Sequence, residues 1–294
     1  MGKINTELKN FILTPFNLLF RISPVMTTKL LFRLKCKTRL NLENPQTLNE
    51  KLQWLKLYYR NDLIPKCADK FSVREYVTEC GCSEILNELL WYGFDANEIP
   101  FDSLPNQFVA KITNGSGFIV ICKDKNLLDK QIIIRKLNRW LKIKMPLCYG
   151  EWFYGIERPR IIIESFLSED GNSIPCDYKI FCFNGKVELF DIHTDRFTNH
   201  KRNVMDKNWE TIHGASITYR NSDTIPTKPV NLNEMIRIAE ILSKPFPHVR
   251  VDFYNIKGKI YFGELTFCNG AGFSRIGPYE FHMFLGSLLH LPQN

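Results

Sequence analysis

The sequence predicts an α+β fold in which helices come first and a two-lobed region of mixed strands and helices follows. Helical periodicity dominates the first hundred residues, strand-like stretches begin at Gln107, and strands and helices alternate from there. With 294 residues, 44% of them hydrophobic, the chain can bury a large core. Length alone allows one elaborate domain or two lobes, and the order of the elements favours two lobes.

The positive charge of the chain is concentrated at its N-terminus. Eight Lys and Arg residues lie in the first 40 positions against Glu7 as the single acidic residue, so this segment holds +7 of the net charge of +8. A nucleic-acid-binding protein usually spreads its basic residues over a working face. We therefore expect no nucleic-acid partner for the body of the protein.

The basic segment also carries an apolar stripe. Apolar residues from Leu8 to Leu19 recur at helical spacing, and Thr14-Pro15 and Ser23-Pro24 are typical of an N-cap followed by proline in the first turn. We expect two or three short helices here. Two interpretations remain open: a helical collar packed on the body, or a peripheral contact of residues 1–40 with an anionic membrane.

The location of the protein follows from what the sequence lacks. No apolar run approaches the length of a membrane-spanning helix, and the N-terminus has no signal-peptide pattern. Nine cysteines without a C-x-x-C pair are typical of reduced thiols. We expect a cytoplasmic protein, either free or peripheral on the inner face of the cytoplasmic membrane.

Capping and turn signals place the remaining elements. Thr47 can cap a helix running to about Tyr59, and Asn184-Gly185 is the strongest short hairpin signal in the chain. We expect further helices over about 66–79, 127–141 and 231–243, and strands over about 107–112, 118–122, 160–165, 177–183, 186–192, 249–254 and 259–265.

The first candidate for chemistry is Lys111, which closes a strand and is followed by the loop Gly115-Ser116-Gly117. Exposed backbone N–H groups in such a loop can bind phosphate oxygens while the ammonium group neutralises their charge. The alternative is a plain hairpin turn with a surface lysine.

The second candidate is the C-terminal hairpin. With its loop at 256–258 and Gly258 in the left-handed region, Asp252 faces Phe262 and Arg250 faces Glu264, so the three charged residues share one face. Two carboxylates on a half-apolar face need a cation, and Mg²⁺ shared with phosphates suits them. The alternative is an Arg250–Glu264 ion pair with Asp252 solvated.

The third candidate combines Glu164, at the end of an apolar strand, with Asp177-Tyr178-Lys179. An acidic residue at a strand end can bind a ribose hydroxyl, and a lysine can reach a phosphate. Neither pattern is specific alone.

Together, in this order, the three features resemble the ATP-grasp superfamily, and within it the TupA-like branch associated with teichuronopeptide and other surface-polysaccharide synthesis. The resemblance spans about residues 44–292. Its most branch-specific stretches are 44–56, 177–186, 195–203 and 263–267. It implies an ATP-grasp fold of two α+β lobes clasping ATP, with an added helical N-terminal segment. The implied divisions are a basic helical segment (1–43), a helical part (44–105), a small lobe with the phosphate loop (106–166) and a C-terminal lobe with the metal site (167–294).

The resemblance assigns roles to residues, with ATP and Mg²⁺ as cofactors. The ATP-binding residues are Lys111, Gly115, Ser116 and Gly117 at the phosphates, Glu164, Ser165, Phe166 and Leu167 at the adenine, and Asp177 near the ribose. The implied metal ligands are Asp252 and Glu264, and the implied catalytic residues are Arg250 and Lys179. The residues expected to face the γ-phosphate or an acidic substrate are Arg196, His200, Lys201 and Arg202.

Two positions depart from the family pattern. Superfamily ligases usually have asparagine two residues after the second metal-binding glutamate, where this chain has Thr266; Thr266 or Asn269 is then the candidate third ligand. Asn114 stands where we expect histidine before the glycine loop.

The implied activity is a carboxylate–amine ligase that forms an amide through an acyl phosphate. Its setting would be a bacterial capsule, O-antigen or other surface polysaccharide, with an amino acid joined to a uronic acid or similar acidic sugar. The alternatives are a glycosyltransferase of polysaccharide synthesis and a non-catalytic nucleotide-binding protein. No two aspartates lie two positions apart, so the D-x-D motif of many metal-dependent glycosyltransferases is missing.

Overall fold

The computed structural model describes residues 10–194 and 200–293. Its α-helices are α1 (Thr14–Ile22), α2 (Pro24–Cys36), α3 (Leu48–Tyr58), α4 (Leu63–Ala68), α5 (Val73–Glu79), α6 (Lys130–Leu141), α7 (Leu232–Ser243) and α8 (Tyr279–Leu288). Its strands are β1 (Leu89–Gly93), β2 (Phe108–Ile112), β3 (Ile119–Cys122), β4 (Ile161–Ser165), β5 (Asp177–Phe183), β6 (Lys186–Thr194), β7 (Lys201–Asp206), β8 (Ser216–Ile217), β9 (Tyr219–Arg220), β10 (His248–Ile256), β11 (Lys259–Thr266) and β12 (Ile276–Gly277). The predicted α+β architecture is confirmed.

The N-terminal helices form a collar on the body. Ser23 caps α2 as expected, because its Oγ accepts a hydrogen bond from the Met26 N–H at 3.3 Å. Thr14, in contrast, is the first residue of α1 rather than its cap. Leu31 of α2 is buried against Cys148 and neighbouring side chains of the body. The collar interpretation therefore holds for one face of this segment.

Two helices replace the single helix predicted over 66–79. The Asp69 carboxylate accepts hydrogen bonds from the N–H groups of Phe71 and Ser72, at 3.0 and 2.9 Å, and this turn separates α4 from α5. The preceding helix, α3, has the predicted cap at Thr47, completed by Glu50 as a capping box. A turn over Lys125–Leu127 likewise precedes α6, which begins later than expected.

Besides a short three-stranded sheet of order β12-β8-β9, the described residues form two main sheets. The smaller of these two has the order β1-β4-β2-β3, with all its pairs antiparallel. Leu137 of α6 packs with Phe108 and Ile163 in the core on one face. Side chains alternate along a strand, so Lys111 and Glu164 lie on the opposite face. Strand β1 was not predicted from the sequence.

The larger sheet has the order β11-β10-β5-β6-β7 and is antiparallel throughout. The β5–β6 hairpin turns at Asn184-Gly185, with φ of 50° and 77°, which confirms the predicted turn. One face packs its apolar side chains against α7. The other face is apolar at one end, where it meets α3 and α8, and carries charged residues beyond that end.

The predicted register of the C-terminal hairpin is wrong by one residue at the turn. The turn is Lys257-Gly258, with Ile256 paired to Lys259. Gly263 then forms a bulge that brings Asp252 opposite Glu264. A Cβ on Gly263 would lie 2.9 Å from the Asp252 carbonyl oxygen, so only glycine fits this bulge. The bulge adds a second residue of shift, so Arg250 faces Thr266, and the two carboxylates share a face as predicted.

Candidate active site

Four charged side chains lie in register across the larger sheet. Glu264 is paired with Asp252, Asp252 with Lys179, and Lys179 with Asp191 on the next strand. Residues directly opposite one another point to the same face of a sheet. The strands therefore place three carboxylates and one ammonium group in one line across four strands, with Lys179 between Asp252 and Asp191.

The centre of this line is a buried ion cluster. Lys179 Nζ lies 2.7 Å from Asp252 Oδ2 and 2.8 Å from Asp177 Oδ2. Arg250 donates from Nε to Asp252 Oδ1 at 2.6 Å and from Nη2 to Oδ2 at 2.7 Å. Asp252 is only 3% exposed, so the alternative of a solvated Asp252 is wrong. Buried charges require such partners.

The pKa values of the cluster follow from the same contacts. Burial by itself lowers the pKa of Lys179, but the charges of Asp252 and Asp177 outweigh it and raise that pKa above its usual value. The pKa of Arg250 is likewise raised, since Asp252 and Glu264 outweigh the effect of burial. Both cations therefore remain charged at neutral pH.

Glu264 lies at the accessible edge of the cluster, with its side chain 33% exposed. Its Oε1 lies 3.4 Å from Arg250 Nη2, and its Oε2 lies 3.3 Å from Lys70 Nζ. Burial raises the pKa of Glu264, but Lys70 and Arg250 overcome that effect and lower the pKa to about 2. This carboxylate is ionised at any physiological pH.

Lys70 connects the two sheets at the site and was missed in the sequence. Its Nζ also donates to the Gly115 carbonyl at 2.8 Å, so one ammonium group joins the glycine loop to Glu264. No local pattern marks Lys70, because it falls in the turn at Asp69 that the sequence suggested was helical. Its position beside the loop adds a second lysine to the candidate phosphate site.

The smaller sheet contributes Lys111 and its partner. Lys111 Nζ lies 2.7 Å from Glu164 Oε2, and Arg74 Nη1 lies 3.3 Å from Glu164 Oε1. Glu164 is buried, so its carboxylate serves as the anion between two cations. The chain leaves β4 at Ser165, and half-buried Phe166 and Leu167 follow. Their role at an adenine ring stays a prediction.

The glycine loop has the conformation its residues require. Gly115 and Gly117 have φ of 78° and 87°, in the left-handed region that favours glycine. A Cβ on Gly115 would lie 2.7 Å from Met145 Sδ. Ser116 is exposed between them. The loop follows β2 directly, which places it next to Lys111 as predicted.

The carboxylates fit a magnesium ion that is also bound by phosphate. Within residues 10–194 and 200–293, no group of three or more His, Cys, Asp and Glu side chains is arranged to hold a metal ion. Asp252 and Glu264 form a pair, and Mg²⁺ in nucleotide sites commonly takes one or two carboxylates plus phosphate oxygens. The candidate third ligands Thr266 and Asn269 both accept hydrogen bonds from Arg250, at 3.0 and 2.7 Å.

The basic residues predicted to bind substrate lie in different environments. Arg196 lies outside the described residues. Arg202 is buried and forms a two-pronged ion pair with Asp191. Lys201 is half-buried and His200 is exposed. Strand β7, which was not predicted, explains the division, because its side chains alternate between the two faces.

Two antiparallel sheets meet where Lys70 contacts both the glycine loop and Glu264, and the match to a family model identifies this arrangement as that of an ATP-grasp protein. The chain belongs to the TupA-like ATP-grasp family: the family model described as TupA-like ATPgrasp matches residues 50–290. The resemblance of the sequence motifs to this branch is thus confirmed. No curated protein sequence matches the chain significantly.

Solved structures of low sequence identity resemble the chain. An L-amino acid ligase from Bacillus licheniformis is 13% identical with a TM-score of 0.47, over 86% of this chain and 57% of that one. The N5-carboxyaminoimidazole ribonucleotide synthetase purK, in its ADP complex, is 14% identical with a TM-score of 0.45, over 73% and 49%. A D-alanine–D-alanine ligase from Bacillus anthracis is 14% identical with a TM-score of 0.42, over 74% and 58%. The chain therefore spans less than two thirds of each.

Proposed function

We propose that this protein is an ATP- and Mg²⁺-dependent ligase that joins a carboxylate to an amine through an acyl phosphate. The observation that carries the proposal is the cluster of Arg250, Asp252, Glu264 and Lys179 on one sheet face, reached by Lys70 from the glycine loop. Membership of the TupA-like ATP-grasp family supports it.

The lysines, the glycine loop and the two carboxylates of the site each have a role in this reaction. Lys111, Lys70 and the N–H groups of the glycine loop bind the phosphates of ATP, and Lys179 contacts a phosphate or the substrate. Asp252 and Glu264 would hold Mg²⁺, which supplies charge neutralisation at the phosphate oxygens when bound.

Arg250 stabilises the charge that develops at the reacting carboxyl group. Its guanidinium group is held by Asp252, Thr266 and Asn269, so its position is fixed before the substrate arrives. Fixed donors of this kind are effective because they need no reorganisation during the reaction.

For the substrate, we propose an acidic sugar and an amino acid. Branch-specific motifs of surface-polysaccharide synthesis support this choice, as does His200, whose Nε2 lies 3.1 Å from His193 Nδ1 on the polar face of the larger sheet. Arg196 belongs to the same predicted contact. The product would be an amide on a uronic acid of a capsule, O-antigen or similar polysaccharide.

The reaction can be tested by trapping. With ATP, Mg²⁺ and hydroxylamine, the protein should convert its carboxylate substrate into a hydroxamate and release ADP in equal amount. The screen offers uronic acids and amino acids separately, so the substrate that forms the hydroxamate is the one that supplies the carboxyl group. The physical reason is that a carboxylate resists amine attack until its oxygen leaves as phosphate.

The same assay separates the alternatives. A glycosyltransferase would release a nucleoside diphosphate from a sugar nucleotide without consuming ATP, and a non-catalytic protein would bind ATP without turnover. Sugar transfer in the absence of ATP, with no hydroxamate from any carboxylate, would overturn the ligase proposal.

We also propose that the N-terminal segment, residues 1–40, docks on an anionic membrane surface. Helix α2 exposes Met26, Leu30 and Leu34 at i, i+4 and i+8, each at least 41% exposed. The preceding helix adds Leu18 and Ile22, the latter 81% exposed. This apolar stripe faces away from the contacts that bind the collar to the body.

The charge beside the stripe fits the headgroups of such a membrane. Lys29 and Arg33 of α2 each precede a residue of the apolar stripe by one position, Lys37 follows the end of the helix, and all three are exposed. Residues 10–42 include no acidic residue. An apolar face flanked by basic residues is typical of helices that lie in a membrane interface. In the described part of the chain, no helix has the length and apolar character needed to cross a membrane.

Liposome sedimentation tests the docking proposal. The protein should pellet with anionic vesicles at low salt and be released as salt screens the attraction. Replacing Ile22, Leu30 and Leu34 together by serine should abolish pelleting. The matched control replaces Leu127, Ile225 and Val230 by serine, since these residues are also apolar and at least 62% exposed but lie outside the N-terminal segment. Equal pelleting of both variants would contradict the proposal.

A further inference from the structure

Helix α3 carries a stripe of polar side chains on its buried face. Asn49, Gln53 and Lys56 recur at i, i+4 and i+7, so they lie on one side of the helix. They are 2%, 0% and 4% exposed, comparable to the apolar residues Leu48 and Leu52 beside them. Burial of a polar side chain costs free energy unless the side chain finds a hydrogen-bond partner. The partners of this stripe therefore indicate its role.

All three side chains bind one loop, residues 269–274, which follows β11. Each side-chain nitrogen donates to a backbone carbonyl of this loop: Asn49 Nδ2 to Ser274 at 2.8 Å, Gln53 Nε2 to Gly272 at 2.8 Å, and Lys56 Nζ to Ala271 at 2.7 Å. Gln53 Nε2 also donates to the Ala271 carbonyl at 3.3 Å, so both of its bonds go to the loop. Lys56 donates in addition to the Tyr149 carbonyl at 2.6 Å.

The backbone of the loop is strained. Gly270, Ala271 and Gly272 have φ of 55°, 55° and 70°, which makes three left-handed residues in succession. Alanine is disfavoured in this region, because its Cβ comes too close to the following carbonyl oxygen. A Cβ on Gly272 would lie 2.7 Å from Gln53 Nε2, so the loop packs closely on α3. The hydrogen bonds from α3 therefore hold a strained backbone in one conformation.

The first residue of this loop bonds the arginine of the candidate active site. Asn269 Oδ1 accepts a hydrogen bond from Arg250 Nη1 at 2.7 Å. The other hydrogen bonds of this guanidinium group that the structure describes go to residues of β10 and β11. Ser274 Oγ donates to the Asn269 carbonyl at 3.2 Å and joins the two ends of the loop. A displacement of the loop would therefore move an acceptor that orients Arg250.

Stability alone is a weak reason for such a polar stripe. Burial lowers the pKa of Lys56, which reflects the cost of placing its charge away from water. Hydrogen bonds inside a protein return that cost only in part, and apolar side chains of similar volume often serve stability as well. A hydrogen bond, however, has a preferred distance and angle, so it fixes the position of the group that it binds.

We propose that Gln53 and Lys56 are positioning residues of the ligase, which hold the loop 269–274 and, through Asn269, the guanidinium group of Arg250. The inference rests on the proposed function. It assigns a role to buried polar residues of α3 that lie outside the proposed phosphate and metal sites. The orientation of Arg250 towards the reacting carboxyl group is then set from the helix as well as from the two strands.

Gln53→Met tests the hold on the loop. Methionine keeps the length of the side chain but makes neither of the two bonds. With the carboxylate found in the trapping screen, kcat for ADP release should fall about tenfold, because a misplacement of about 1 Å near a reacting group can cost up to about 10²-fold in rate. ATP affinity measured by calorimetry without the carboxylate should be unchanged, since the proposed phosphate site does not include the loop.

A double-mutant cycle separates positioning from a general structural role. Asn269→Ala removes the acceptor at Arg250 and should lower kcat by a similar factor. If Gln53 acts through Asn269, adding Gln53→Met to Asn269→Ala should lower kcat no further. Two independent defects would instead multiply, to about 10²-fold.

Lys51→Met is the matched control for Lys56→Met. Both lysines belong to α3 and donate to backbone carbonyls, but Lys51 Nζ bonds the Leu289 carbonyl, just beyond α8, at 2.7 Å. Lys56→Met should lower kcat as Gln53→Met does, and Lys51→Met should leave kcat unchanged.

Ser274→Ala is a milder variant, for use if Gln53→Met does not fold. It removes only the hydroxyl group that bonds the Asn269 carbonyl, and Ser274 is half-buried. This variant should also lower kcat, and the loss should again disappear in the Asn269→Ala background. Thermal unfolding of each variant shows that it is folded under the assay conditions.

Three results would overturn the inference. The first is wild-type kcat in both Gln53→Met and Lys56→Met, and the second is a loss of kcat that multiplies with that of Asn269→Ala. The third is a raised Mg²⁺ requirement in Asn269→Ala, which would make Asn269 a metal ligand. Each leaves the ligase proposal standing. A wild-type protein that forms no hydroxamate from any carboxylate would instead refute the ligase proposal itself, and this inference with it.

Discussion

Replacing Asp252 by asparagine should abolish Mg²⁺-dependent ADP release. The carboxylate is one of the two proposed metal ligands, and an amide offers one neutral oxygen in place of two charged ones. Asp252 also neutralises Lys179 and Arg250, which are both buried. Breaking a buried ion pair on one side costs about 3–5 kcal/mol. Thermal unfolding should therefore show a destabilised but folded variant.

Glu264→Gln separates metal binding from this loss of stability. The Glu264 side chain is a third exposed, so its replacement should cost much less stability than that of Asp252. It should still raise the Mg²⁺ concentration needed for half-maximal turnover. Activity in either variant with the wild-type Mg²⁺ dependence, in the trapping assay, would contradict the assignment of the metal site.

Replacing Arg250 by lysine should lower kcat about 10²–10³-fold, the effect of removing one preorganised donor at a developing anion. Lysine keeps the charge but cannot bond Asp252 through two nitrogens while also reaching Asn269 and Thr266, as Arg250 does. ATP binding in the absence of the carboxylate, measured by calorimetry, should change little, because the proposed role concerns the reacting carboxyl group.

Arg237→Lys is the control for this substitution. Arg237 also forms a two-pronged pair with a carboxylate, that of Glu234, but on the surface of α7, where ion pairs contribute little. It should leave kcat and thermal stability unchanged. An Arg250→Lys variant with wild-type kcat and a raised KM would assign Arg250 to ordinary substrate binding instead.

Local chemistry made several features predictable. The capping box at Thr47 and the turn at Asn184-Gly185 depend on residues within a few positions of one another, and both form as expected. The glycine loop after Lys111 has the left-handed conformations that its composition indicates. Such elements are predictable because their energies are set by neighbouring residues.

The C-terminal hairpin shows where local prediction fails. A shift of one residue at the Lys257-Gly258 turn would place Glu264 on the opposite face from Asp252. The bulge at Gly263 shifts the pairing by one more residue and returns Glu264 to the face of Asp252. The strand pattern does not predict this bulge, because a glycine within a strand has several structural meanings. The predicted face was right and the predicted register was wrong.

The sequence by itself determined the family, the order of the elements and the charged residues on which the proposed chemistry depends. The tertiary structure alone decided which side chains meet: Lys70, which no sequence pattern marked, with Gly115 and Glu264, and Asp191 with Arg202. The physical reason is that such contacts join separate elements, some of them far apart in the sequence. They depend on the register of five paired strands and on one turn at Asp69, which no short stretch of sequence encodes.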